Sequence, residues 1–95
     1  MACYFIANIS IHDPDEYQKY IDSSEEIFAE YRGEYLAVDN QPSILEGKWD
    51  YTRCVLIRFE TEQEFNKWYH SEKYQHILKH RLQAANCDSI LVKSK

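Results

Sequence analysis

Ninety-five residues, 44% hydrophobic and 28% charged, suffice for one small domain with little surplus core. The 16 acids outnumber the 11 Lys and Arg, giving a formal charge of −5, and the basic residues are scattered; both facts argue against nucleic-acid binding and against an anionic membrane surface. Cys3, Cys54 and Cys87 form an odd count without a CxxC pair, which argues against a disulfide scaffold and for reduced, buried small hydrophobes.

Cys3–Ile11 reads as a first strand, with Phe5, Ala7, Ile9 and Ile11 on one face and Tyr4, Ile6, Asn8 and Ser10 on the other. Asp13-Pro14-Asp15-Glu16 then opens a helix: Asp13 as N-cap, Pro14 at the first helical position, Glu16 closing a capping box. Tyr17, Tyr20, Ile21, Ser24, Ile27, Phe28 and Tyr31 recur at helical spacing as its inward stripe, and Gly33 is expected to end it in a left-handed cap. Tyr35–Val38 is β-prone, Asp39–Pro42 is a turn, and Ser43–Glu46 extends again before Gly47. Tyr51–Phe59 carries the strongest strand pattern. Thr61 and Glu64 form a second capping box, opening a helix with Phe65, Trp68 and Tyr69 inward. Ser71 restarts the helix after a kink, and Tyr74, Ile77, Leu78, Arg81 and Leu82 continue the stripe. Cys87–Val92 is the last strand, after a helix end near Asn86.

The order β-α-β-β-α-β predicts an α+β, ferredoxin-like domain: a four-stranded antiparallel sheet with helices on one face. The uncovered face of such a sheet should alternate strictly if it met water. It does not: Tyr4 and Ile6 oppose Phe5 and Ala7, Leu56 opposes Val55 and Ile57, and Ile90, Leu91 and Val92 run together. Both faces therefore call for cover, and a second copy laid sheet to sheet is expected to supply it. The first twelve residues lack a basic segment and a long apolar run, so no signal peptide is expected. No stretch approaches the roughly 20 apolar residues of a membrane span. Cytoplasmic location is the default expectation, with neither nucleic acid nor membrane as partner.

Several stretches carry a resemblance together. They are Asp13-Pro14 with Tyr17; Gly33; Leu45-Glu46-Gly47-Lys48-Trp49; Arg53 with Val55-Leu56-Ile57-Arg58-Phe59; and Trp68-Tyr69-His70-Ser71-Glu72-Lys73-Tyr74 with Arg81. The chain resembles, over nearly its whole length, the domain-of-unknown-function 1330 family of the dimeric α+β barrel superfamily. It departs from that family at Arg32-Gly33, where two glycines are common, and at Val38-Asp39-Asn40, where members carry more glycine and arginine. The resemblance implies a ferredoxin-like fold and a homodimer of two facing sheets. It implies little chemistry, since the wider superfamily spans cofactor-free monooxygenases, lactone isomerases and haem enzymes.

Two groups of residues are candidates for a site. Arg53 shares a strand face with Val55 and Ile57, so its guanidinium needs a partner, and Glu46 on the neighbouring extended segment is the expected one. The pair reads either as a structural clamp on the hairpin or as a carboxylate-recognition site. Trp68, Tyr69, Tyr74 and Arg81 lie along the second helical region, where packing onto the sheet is the plain reading. Their hydroxyls and guanidinium also need partners. With Asn8, His12 and Tyr17 they are expected to line a pocket between sheet and helices for a small organic ligand, without a cofactor. A Tyr hydroxyl or His12 would serve there as acid or base. His76 and His80 stand four apart on a helix but flank the apolar stripe with no third ligand, so a solvent-facing role is expected and no metal. The two glycines make no phosphate-binding loop.

Overall fold

The computed structural model describes residues 1–95. Its elements are β1 (Cys3–Ile11), α1 (Pro14–Phe28), β2 (Gly33–Asp39), β3 (Arg53–Phe59), α2 (Glu62–Tyr69), α3 (Glu72–Ala84) and β4 (Ala85–Lys93). The sheet order is β2-β3-β1-β4, and every neighbouring pair is antiparallel. β1 and β2 therefore run parallel with β3 between them, which is the split βαβ arrangement the element order predicts.

The helix starts form as their sequences dictate. Asp13 Oδ1 accepts from Glu16 N–H at 3.2 Å, Thr61 Oγ1 from Glu64 N–H at 3.2 Å, and Ser71 Oγ from Tyr74 N–H at 3.1 Å. The reciprocal half of the first capping box is absent. Asp13 N–H instead donates to Ala84 O at 3.0 Å, which frees Glu16 to reach His80 Nδ1 at 2.7 Å and Lys19 at 2.9 Å. That pair ties α1 to α3. The Trp68 carbonyl accepts from the Ser71 hydroxyl at 2.8 Å, marking the break between α2 and α3.

Three expectations about element limits are corrected. Gly33 does not cap α1, which ends at Phe28 with Ala29 in right-handed geometry; Gly47 is the only residue with positive φ. Gly33 opens β2 because a Cβ there would lie 2.3 Å from the Phe28 ring and 2.7 Å from that of Phe59. Ser43–Glu46 is loop rather than strand, since β2 already pairs β3 as far as Asp39. β3 starts at Arg53, not Tyr51; the Tyr51 hydroxyl donates to Asp88 Oδ2 at 2.6 Å.

The core lies between the helices and one sheet face. Cys3, Phe5, Ala7 and Ile9 of β1 and Val55, Ile57 and Phe59 of β3 are buried there against Tyr17, Phe28, Phe65, Trp68, Tyr74, Ile77 and Leu78. Trp68 is its hub: its ring stacks on Phe59 at 5.5 Å and meets Phe5, Phe28 and Tyr74 at 5.6, 5.6 and 4.3 Å.

The opposite face is open. Register places Ala37, Leu56, Ile6 and Ile90 in one row across all four strands. On one side lies the row Glu34, Arg58, Tyr4 and Val92, and on the other Asp39, Cys54, Asn8 and Asp88. An apolar row thus runs through the middle of this face, with charges at its borders.

Candidate functional site

Between the sheet and helices lies an enclosed void of about 30 Å³, large enough for one water-sized group. Its walls come from every layer. β1 gives Phe5, Ala7 and Ile9; β3 gives Arg53, Val55 and Ile57; β2 gives Tyr35; α1 gives Tyr17, Tyr20 and Ser24; Trp68 and Arg81 close it from α2 and α3. The inward parity of the strands and the i, i+3 spacing of Tyr17 and Tyr20 on α1 bring these side chains together.

The void is lined by donors and by no acid. Arg81 is buried, with 3% of its surface exposed, and makes no salt bridge. Its guanidinium carbon stands 5.7 Å from the Tyr20 ring centre, and that of Arg53 5.8 Å from the Tyr17 ring. Four buried side-chain nitrogens in the whole chain lack a hydrogen-bond partner: Trp49 Nε1, Arg53 Nε, Trp68 Nε1 and Arg81 Nε. Three of the four belong to residues lining this void. Native proteins satisfy nearly all such groups, and a single water-sized guest in this void would supply an acceptor.

The tyrosines here stay neutral. Burial pushes Tyr74 up to about 12 despite the pull of Arg81, and pushes Tyr20 well above its usual value. Burial also raises Tyr17, with Arg53 and Arg81 pulling back, and raises Tyr35. The Cys87 thiol, near Arg81, is likewise raised by burial. Arginine does not deprotonate in proteins, so within the void both guanidiniums stand among neutral tyrosines at pH 7.

Of the residues expected in the pocket, Tyr17, Arg53, Trp68 and Arg81 line the void. Tyr74 stands behind them: its hydroxyl and that of Tyr20 lie 2.7 Å apart, and its ring edges Tyr20 at 6.1 Å. Tyr69 packs on Phe65 at 5.2 Å, outside the void. Asn8 is a correction: its register partners Cys54 and Asp88 put it on the open face, as strand parity requires. His12 is exposed beyond the end of β1, with its backbone N–H on Ala84 O. Glu46 is exposed in the 40–52 loop and forms no ion pair with Arg53, because Ser43–Glu46 does not continue the sheet. Arg53 Nη1 donates instead to Asn40 Oδ1 at 3.3 Å. Tyr20, Tyr35 and Ser24 were absent from the expected site. Tyr20 and Ser24 carried a signal, since both sit on the Tyr17 stripe; Tyr35 joins only through its pairing with Ile57.

Arg53 also borders two surface grooves. One, of about 360 Å³, is lined by Ile11, Pro14, Tyr17, Gln18, Ile21, Asn40 and Thr52 as well. The other, of about 310 Å³, adds Ile21, Ser24, Glu25, Tyr35 and Val38. A larger groove between α1 and α3, of about 550 Å³, is lined by Glu26, Glu30, Glu72, Lys73 and His76 among others and has ordinary surface chemistry.

Solved structures share the fold. A protein of unknown function from Rhodopseudomonas palustris is 17% identical, with TM-score 0.82 over 99% of this chain and 82% of its own. A dimeric ferredoxin-like protein of unknown function from Jannaschia sp. is 8% identical, with TM-score 0.80 over 99% of this chain and all of that one. SnoaB, a cofactor-independent oxygenase from Streptomyces nogalater, is 10% identical, with TM-score 0.72 over 99% and 93%. No curated protein matches the sequence. The family model described as "Domain of unknown function (DUF1330)" matches residues 2–94, so the chain belongs to the DUF1330 family.

Proposed function

We propose that the protein is a homodimer that binds a small organic molecule in each subunit, between sheet and helices. The observation that carries the reading is that Arg53, Trp68 and Arg81 line one void while Arg53 Nε, Trp68 Nε1 and Arg81 Nε are all buried without an acceptor. Leaving such donors unmade costs roughly 1–3 kcal/mol each, a cost that a bound acceptor removes. The rest of the lining is mostly apolar, as ligand sites are. The dimer is supported by the Ala37–Leu56–Ile6–Ile90 row on the open face, where Ile90 is 59% exposed in the single subunit. An isologous sheet-to-sheet contact would bury that row and set the charged rows at its rim. The dimeric Jannaschia protein has the same fold.

The same groups suit chemistry without a cofactor. Neutral Tyr hydroxyls and a guanidinium in a dry site would stabilise negative charge developing on a bound carbonyl or enolate. The cofactor-independent oxygenase SnoaB is a fold relative in keeping with this. One observation favours a second reading, a non-catalytic interaction or regulatory module: at about 30 Å³ the void is closed to anything larger than a water-sized group. Protein-observed NMR against small aromatic and keto acids, together with light scattering at micromolar concentration, separates the two. Dimer plus hits that perturb the Tyr17 and Tyr20 signals supports the binding protein. Dimer without hits from a broad panel supports the module, and a monomer overturns the dimer.

A further inference from the structure

We propose that the ligand is a small organic carboxylate whose head group sits between the guanidiniums of Arg53 and Arg81, and whose apolar body lies in the groove beside Pro14, Tyr17 and Ile21. This rests on the binding function proposed above and adds the class of ligand. The polar groups lining the void divide unevenly. Two guanidiniums and the Trp68 indole can only donate, the hydroxyls of Tyr17, Tyr20, Tyr35 and Ser24 can do either, and no lining side chain is a carboxylate or an amide. A neutral ligand would satisfy donors but leave two like charges facing one space. An anion with two acceptor oxygens satisfies both. Phosphate is less well served, since neither a helix start nor a glycine loop is among the lining residues.

Arg53 explains how the carboxylate arrives. It is the one residue that borders the void and both grooves beside it. Its Nη1 donates to Asn40 Oδ1 at 3.3 Å, and its carbon lies over the Tyr17 ring at 5.8 Å. A long side chain between an enclosed polar end and a groove of about 360 Å³ is placed to serve as a gate, moving to admit the head group and returning to clamp it. Arg81 is fixed by burial in α3 and serves as the anchor.

The test uses isosteric pairs in which the amide lacks the charge and one of the two acceptor oxygens: benzoate against benzamide, and phenylacetate against phenylacetamide. Affinity is measured by titration of ¹⁵N-labelled protein, following the Nε–H signals of the four arginines. The expected result is that each acid binds at least about tenfold more tightly than its amide, the size of one charge-assisted hydrogen bond. The Arg53 and Arg81 signals shift, those of Arg32 and Arg58 stay, and Arg81→Met abolishes the preference. Arg53→Gln weakens the acids more than the amides, narrowing the preference. Equal binding of acid and amide in the wild type overturns the carboxylate assignment and leaves the binding function standing. Failure of both to bind at millimolar concentration overturns the assignment together with the function it rests on. The wild-type comparison decides these outcomes even if a variant does not fold.

Discussion

Replacing Arg81 by methionine is expected to make the ligand-free protein more stable. Desolvating one guanidinium costs several kcal/mol, taken here as ~5 kcal/mol. Two things offset it. The contact of Arg81 with the Tyr20 ring, 5.7 Å from its centre, returns about 2 kcal/mol for a desolvated pair. The place of Arg81 in the last turn of α3 returns about 1 kcal/mol from the helix-end carbonyls. No carboxylate and no acceptor on Nε add to these. About 2 kcal/mol of uncompensated cost remains, within the range recovered when buried ions give way to apolar groups of similar volume. For a domain of this size that corresponds to a rise in Tm of roughly 10 °C. The assay is thermal unfolding by circular dichroism, at one fixed protomer concentration and without ligand, since dimerisation and ligand both move Tm. A fall in Tm of several degrees would refute the reasoning. It would mean that the fold itself uses the guanidinium, and that the charge is not held in reserve for a ligand.

Gly33→Ala should destabilise the protein by about 1–3 kcal/mol in urea unfolding, because the new methyl meets the packed Phe28 and Phe59 rings at 2.3 and 2.7 Å. Ile90→Glu should leave subunit folding within about 0.5 kcal/mol, since the residue is half exposed there, yet yield monomer in sedimentation; an unchanged dimer would place the interface elsewhere. Alkaline pH should unfold the protein in a window set by the buried tyrosines. Burial raises Tyr74 from 10.0 to about 12 and raises Tyr20 well above its usual value, so folding protects the neutral hydroxyls. The stability they add is whole below about pH 10 and is lost as pH climbs towards 12. Tyrosinate absorbance should therefore rise in two stages, the second coinciding with loss of helical signal; a single early rise would contradict their burial.

What could be read from the chain divides along a physical line. Local chemistry was legible. Burial along β1 alternates with period two as strand parity requires, and the side chains of Asp13, Thr61 and Ser71 each accept the N–H three residues on, so those limits are encoded within a few neighbouring positions. Register across non-local strands was not legible. The bulge between Tyr35 and Ala37 shifts β2 by a residue, and it is this register that puts Tyr35 opposite Ile57 on the wall of the void. The Arg53–Glu46 pair failed for a related reason: it assumed that Ser43–Glu46 would continue β2, whereas the hairpin leaves through the 40–52 loop and gives Arg53 an amide in place of a carboxylate. Asn8 is different, because strand parity already placed it opposite Ala7 and Ile9, away from the helices. The open face was legible by the same parity, since a strand that is apolar on both sides can be read without knowing its neighbours. The uncompensated charge of Arg81 beside the void follows from an absence. No acid occupies the stripe formed by Tyr17, Tyr20 and Ser24 on α1, which faces Arg81, and a helix that buries an arginine for its own stability would be expected to place one there.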